Sequence, residues 1–153
     1  MSKPFVIFLM LLICALPAAA QGGQTHLQSV PGSSAIPADA LQQVNPVKPT
    51  PDSIAQGKKY YGYDCAMCHG ENGDGKGEVA VDEKLKLKDY RDPAALQGMT
   101  DGELFYIIKN GRGQMPPEGG RVKDMELWNL VNYIHSLWPE SMRPPLEDSK
   151  SKE

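Results

Sequence analysis

Cys65-Ala66-Met67-Cys68-His69 places two thiols three positions apart, with an imidazole directly after the second. Thiols at that spacing can each add to one vinyl group on the same porphyrin edge, and the imidazole beside them lies under the iron as its proximal ligand. CxxCH is accordingly the attachment pattern of a c-type haem. Other uses of paired cysteines fit less well. A redox CxxC needs no histidine. A zinc site wants two further ligands, whereas His26 and His135 are far off and the remaining cysteine, Cys14, lies in the N-terminal apolar run. Cys65 and Cys68 are therefore expected to hold one haem c covalently, with His69 on its iron.

A second soft ligand stands in a segment that no regular structure can occupy. Gly111 to Gly120 reads Gly-Arg-Gly-Gln-Met-Pro-Pro-Glu-Gly-Gly, and two prolines stiffen the backbone directly after Met115. That suits a thioether held against an iron in an apolar pocket, although methionine more often fills core gaps. Tyr90, Arg91 and Arg112 are candidates for the haem propionates, since phenol and guanidinium groups suit partly buried carboxylates; a plain surface arginine is the competing reading. Leu85 and Leu87 are expected to lie against the haem on an extended segment. Alternating with them, Lys84, Lys86 and Lys88 make either a docking patch for an acidic partner or a solvated face.

The glycine-rich stretch Gly70 to Gly77 has nearly the spacing of a phosphate-binding loop. It lacks the final Ser or Thr, because Gly77 stands there, and it follows a helix rather than a strand. Its acidic residues are in the wrong order for a calcium loop. An omega-type loop on the proximal side of the haem is the expectation.

The elements that must position these residues are predicted to be helices. Thr50-Pro51 is an N-cap with proline in the first turn, opening a helix through Ile54, Gly57 and Tyr61 that leads into the CxxCH motif. Gly57 and Tyr61 share one face, so Gly57 either admits a second helix at close range or merely weakens this one. Asp92-Pro93 caps a short helix through Leu96. Thr100 with Glu103 is a capping box before the stripe Leu104, Ile107 and Ile108, and Asn110-Gly111 ends that helix. The last helix runs from about Asp124 to Trp138, with Leu127, Leu130, Val131, Ile134 and Leu137 on one face; His135 is off that stripe and reads as a surface residue.

The full chain has 153 residues and a formal net charge of −3, which propionates would make more negative, so a nucleic-acid partner is not expected. Residues 1–20, with Lys3, an apolar run from Phe5 to Leu16 and Ala18-Ala19-Ala20, read as a secretory signal. An uncleaved membrane anchor is the rival, but the run is shorter than the roughly 20 residues a spanning helix needs. Residues 21–49 read as a flexible Pro/Ser/Gln-rich tether, 50–140 as the folded domain, and 141–153 as a disordered tail.

From Pro51 to Trp138 the chain resembles a class I (monohaem) cytochrome c domain of bacterial periplasmic type. The resemblance rests on Cys65, Cys68 and His69, then Met115-Pro116 after a helix ending in Asn110-Gly111, then a closing helix with Leu130 and Tyr133. It implies an all-α cytochrome c fold of three to five helices around one covalently bound haem c. It also implies His69 and Met115 as axial ligands, and a crossing of first and last helices that sets Gly57 and Tyr61 against Leu130, Tyr133 and Ile134. The implied function is one-electron transfer with redox protein partners and no small-molecule substrate, in the periplasm or at a membrane-bound respiratory complex. Val47 to Gly70 and the tether are also similar to the monohaem subunit of a quinol-oxidising alternative complex III. A haem enzyme or gas sensor with a labile Met115 bond is the alternative of another class. So small a chain gains much of its apolar core from the porphyrin, so the haem-free chain is expected to be largely unfolded.

Overall fold

A computed structural model describes residues 35–147; the expected leader, the first part of the tether and the last six residues lie outside the described residues. The described residues form no strand, only isolated bridges. Three helices of ten or more residues do most of the positioning. They are α2 (Pro51–Tyr60), α5 (Asp101–Asn110) and α6 (Asp124–Ser136), and single turns α1 (Ala38–Leu41), α3 (Ala66–His69) and α4 (Glu78–Asp82) fill the intervals. The all-α expectation holds.

The starts read from the sequence carry their caps, though at Thr100 only the hydroxyl half of the expected capping box is formed. Thr50 Oγ1 accepts from the Ser53 amide at 3.1 Å, Asp92 accepts from the Ala94 amide at 2.9 Å, and Thr100 Oγ1 accepts from the Glu103 amide at 3.1 Å. Each cap satisfies an amide that the helix itself leaves without a partner.

α2 does not run straight into the haem motif. From Tyr61 to Cys65 it widens into one π-helical turn before α3 resumes with the motif itself. Such turns recur at functional sites, where one inserted residue re-aims the side chains that follow. Tyr61, only 2% exposed, anchors this turn: its hydroxyl donates to the Gly70 carbonyl at 2.9 Å and its ring meets Tyr133 edge-on at 5.0 Å.

α2 and α6 cross at Gly57. A β-carbon there would collide with the Asn129 carbonyl oxygen and come within 2.7 Å of Tyr133 Cβ. The close-packing role of Gly57 is thus correct, but its partner is backbone at Asn129 as well as Tyr133. Beside the crossing runs a polar seam. Ser53 Oγ donates to Asn129 Oδ1 at 2.7 Å, Asn132 Nδ2 donates to Ser53 Oγ at 2.8 Å, and Asn45 Nδ2 donates to Asn132 Oδ1 at 2.8 Å. Asn132→Ala should lower the stability of the holoprotein by about 2 kcal/mol, since it strands several buried polar partners. A denaturant midpoint unchanged from wild type would contradict that role for the seam.

The seam reaches residues expected to be tether. From Ala38 the chain is seated on the domain: Ala40 is buried, Thr100 Oγ1 donates to the Leu41 carbonyl at 2.9 Å, and Val47 packs on the core. The stretch expected as disordered tail is likewise held as far as Glu147, whose amide donates to the Pro49 carbonyl at 3.2 Å and whose carboxylate pairs with Lys48. His135, expected at the surface, is 9% exposed, with Nε2 2.8 Å from Asp101 Oδ1. The pairing across α5 and α6 lets a polar ring be buried off the apolar stripe.

Candidate haem site

The turn before α3, the loop after α5 and the extended segment 85–90 converge on one cavity of about 410 Å³. Cys65, Cys68, His69 and Met115, singled out by residue type and spacing, all line it. Its walls are largely apolar: Leu85, Leu87, Leu96, Leu104, Ile107 and Ile134 contribute, so both leucines of the extended segment are where expected. Lys86, Lys88, Arg112 and Gln114 also line it, with the Lys88 ammonium donating to the Ala95 carbonyl.

The glycine-rich loop is folded back onto the motif. The Gly75 amide donates to the His69 carbonyl at 2.8 Å, and the Gly77 amide to the Cys68 carbonyl at 3.1 Å. The Lys76 amide donates to Asp74 Oδ1 at 2.9 Å. These donors are spent on the protein, which removes the phosphate-cradle alternative. Among the described residues there is also no cluster of three or more acidic, histidine or cysteine side chains able to hold a metal ion.

Met115 is placed by a tight reciprocal pair: Arg112 and Met115 exchange amide-to-carbonyl bonds, both at 3.1 Å. The loop can start there because Gly111 has φ +73°, and because a β-carbon on it would sit 2.5 Å from the Met115 carbonyl oxygen. Only glycine meets both conditions. Beyond the two prolines, the Glu118 and Gly119 amides donate to the Ile108 and Lys109 carbonyls at 3.0 and 2.8 Å, which ties the loop to the end of α5.

His69 is held by stacking. Tyr90 lies against its ring, with centroids 5.0 Å apart and planes inclined by 22°. His69 Nδ1 is buried without a hydrogen-bond partner, and burial lowers the pKa of the imidazole, which favours the neutral form that ligates metals. Burial, reinforced by the Glu118 and Asp64 charges, pushes the free Cys65 thiol up to about 12; a sulfur converted to a thioether no longer titrates.

Of the three propionate candidates, Tyr90 and Arg112 line the cavity. Burial pushes the Tyr90 phenol up to about 12, so it remains a donor at any physiological pH. Arg91 is not among the lining residues; its guanidinium grips Asp89 through Nε at 2.9 Å and Nη2 at 2.7 Å. Sequence reasoning missed the Tyr90 stack on His69, and it missed Lys86 and Lys88 as cavity residues. The alternation of lysine and leucine was the available signal for the latter, since an extended strip along a cavity exposes its lysines at the rim.

The residues present fit a haem. Two thiols, an imidazole and a thioether share one mostly apolar cavity, of a size within the roughly 300–1,000 Å³ usual for cofactor sites, and the imidazole has a buried nitrogen with nothing bound to it.

Known proteins agree. The profile of the family "cytochrome c oxidase, cbb3-type, subunit III" matches residues 52–134. Cytochrome c6 of Cladophora glomerata is 32% identical over 82 residues, covering 54% of this chain and 86% of that protein. The cbb3-type cytochrome c oxidase subunit FixP of Azorhizobium caulinodans is 31% identical over 102 residues, covering 65% of this chain but 33% of that subunit. Among solved structures, a chain of a reducing HAO-like protein complex of Kuenenia stuttgartiensis superposes with a TM-score of 0.55 at 28% identity, covering 61% of this chain and 47% of that one. The chain thus spans most of the small cytochrome and about a third of the oxidase subunit. It belongs to the family described as cytochrome c oxidase, cbb3-type, subunit III, as a monohaem class I c-type cytochrome with covalently bound haem c, an electron carrier or haem subunit of a respiratory complex.

Proposed function

We propose that Cys65 and Cys68 carry the haem through thioethers, that His69 and Met115 are its axial ligands, and that the protein relays single electrons between redox proteins without a substrate of its own. The observation that carries this reading is the convergence of the CxxCH side chains and Met115 on one apolar cavity. Bound haem c supplies a one-electron ferric/ferrous couple whose potential a methionine ligand raises. The chain's own residues do the rest. Burial keeps the His69 imidazole neutral, and Tyr90 fixes its ring plane. The Arg112/Met115 pair and the two prolines hold the thioether at a defined place. Tyr90 and Arg112 are the groups we assign to the propionates, with Lys86 and Lys88 at the same rim.

The cytochrome unit spans 50–140, with the arm from Ala38 and the tail as far as Glu147 seated on it. Residues 1–20 are read as an export signal. That reading fits haem attachment on the outer face of the bacterial cytoplasmic membrane, and among the described residues no helix is long and apolar enough to cross a membrane. Partners are redox proteins of a respiratory chain, with the oxidase role of the FixP-like relatives as one setting and a periplasmic shuttle as the other.

Met115→Ala tests the ligand assignment. The oxidised wild type should show the weak red iron–sulfur charge-transfer band and a low-spin spectrum. The variant should lose the band and fall in potential while retaining haem covalently. A band unchanged in Met115→Ala would refute Met115 as ligand. A wild type that is high-spin and binds carbon monoxide readily would point to the enzyme or sensor alternative.

A further inference from the structure

One cluster of charge near the cavity is not used by the ligand set. Glu118 lies three residues beyond Met115 and is 4% exposed. Both its carboxylate oxygens accept from Arg121 Nη2, at 2.6 and 2.7 Å. Its backbone is fixed as well: its amide donates to the Ile108 carbonyl at 3.0 Å, and its carbonyl accepts from the Arg121 and Val122 amides at 3.1 Å. The same Arg121 nitrogen lies 3.7 Å from Asp64 Oδ1. Asp64 lines the cavity, in the π-turn directly before Cys65.

The two contacts of Arg121 are unequal. Its side chain is 57% exposed and that of Asp64 39%, so their longer contact is solvent-screened and weak. The Glu118 side chain is 6% exposed, and an ionised carboxylate so far from water needs its partner. Burial is the first cause of the raised Cys65 thiol pKa; the Glu118 and Asp64 charges raise it further and the Arg121 charge lowers it. A field felt at that sulfur is felt at a haem attached to it.

Building on the haem assignment above, we propose that Glu118, Arg121 and Asp64 form a charge clamp joining the Met115 loop to the turn that enters Cys65. In this clamp Arg121 sets the iron potential by cancelling the Glu118 charge. The electron added at the iron makes the site one unit more negative, so an uncancelled carboxylate at short range opposes reduction and an uncancelled guanidinium favours it. Arg121 is therefore a positioning and tuning residue acting through the loop and the local field.

Mediated potentiometric titration of the holoproteins at an electrode, at one ionic strength and pH 8, tests the clamp. Arg121→Gln should shift the ferric/ferrous balance toward ferric by about tenfold, a fall of about 59 mV for one electron. Glu118→Gln should move the potential the other way. The double variant should return close to wild type, and Arg121→Lys should keep most of the wild-type value. Single variants that leave the potential unmoved, or move it in the same direction, with the iron–sulfur band intact, would overturn the proposal and leave only a structural staple. Loss of the band in Arg121→Gln that Arg121→Lys restores supports the joining role, and loss that Lys does not restore contradicts it. A wild type without the band would refute the Met115 assignment separately, and the signs of the paired shifts would still decide the clamp.

Discussion

A chain with Cys65→Ser and Cys68→Ser, freed of haem, should give no cooperative unfolding transition and little helical signal by circular dichroism. The physical reason is the cavity. Leu96, Leu104, Ile107, Ile108 and Ile134 each give one side to it, and several of the same residues are the inner faces of α5 and α6. At about 24 cal/mol per Å³ of void, a cavity of about 410 Å³ costs at most about 10 kcal/mol. That is an upper bound because the site opens to water where Lys86, Arg112 and Gln114 meet it. Even half that value rivals the whole stability of a small domain, about 5–15 kcal/mol. Restoring the thiols and attaching haem should restore the transition. A sigmoidal thermal melt of the haem-free chain would show that the helices hold each other without the porphyrin.

Gly57→Val should be strongly damaging although it lies away from the cavity. The added side chain has no soft neighbour to push aside: the β-carbon itself would clash with the Asn129 carbonyl oxygen, and Tyr133 Cβ would be 2.7 Å away. Relief requires moving α6 bodily, which would also pull Asn129 from Ser53 and Tyr133 from Tyr61. Overpacking usually costs 1–3 kcal/mol. A backbone clash with secondary losses should reach about 3 kcal/mol or more, read as a lower denaturant midpoint of the holoprotein. Gly57→Ala should lie between wild type and Val. Equal midpoints for all three would mean that the helices do not depend on this crossing.

What was legible in the sequence was what chemistry or local geometry dictates. CxxCH has few other uses, Thr50 and Thr100 bind amides three residues away, and Gly111 must end α5 because the backbone turns left-handed there. The helical stripe of α6 follows from its period. Features that depend on which distant residues meet were not legible. His135 looked like a surface residue because periodicity cannot show that Asp101 faces it across two helices. The arm from Ala38 looked like a tether on composition, yet Asn45 pins it through bonds to Trp128 and Asn132, and Thr100 through one to Leu41, all distant in sequence. Arg91 and Arg112 were indistinguishable by residue type, and Asp89, two positions away, decides that Arg91 turns aside. Glu118 drew no notice for the same reason: its meaning lies in its burial and in Arg121.

The central claim is that the cavity holds a covalent haem c with one imidazole and one thioether on the iron. Its most direct test is the optical redox titration of the purified wild-type holoprotein, with a separate sample extracted with acidified organic solvent. Haem should stay with the polypeptide, and the titrated protein should give a low-spin ferric spectrum bearing the iron–sulfur charge-transfer band and one reversible one-electron wave. Haem that is extracted, or a high-spin ferric spectrum without that band, would contradict the claim.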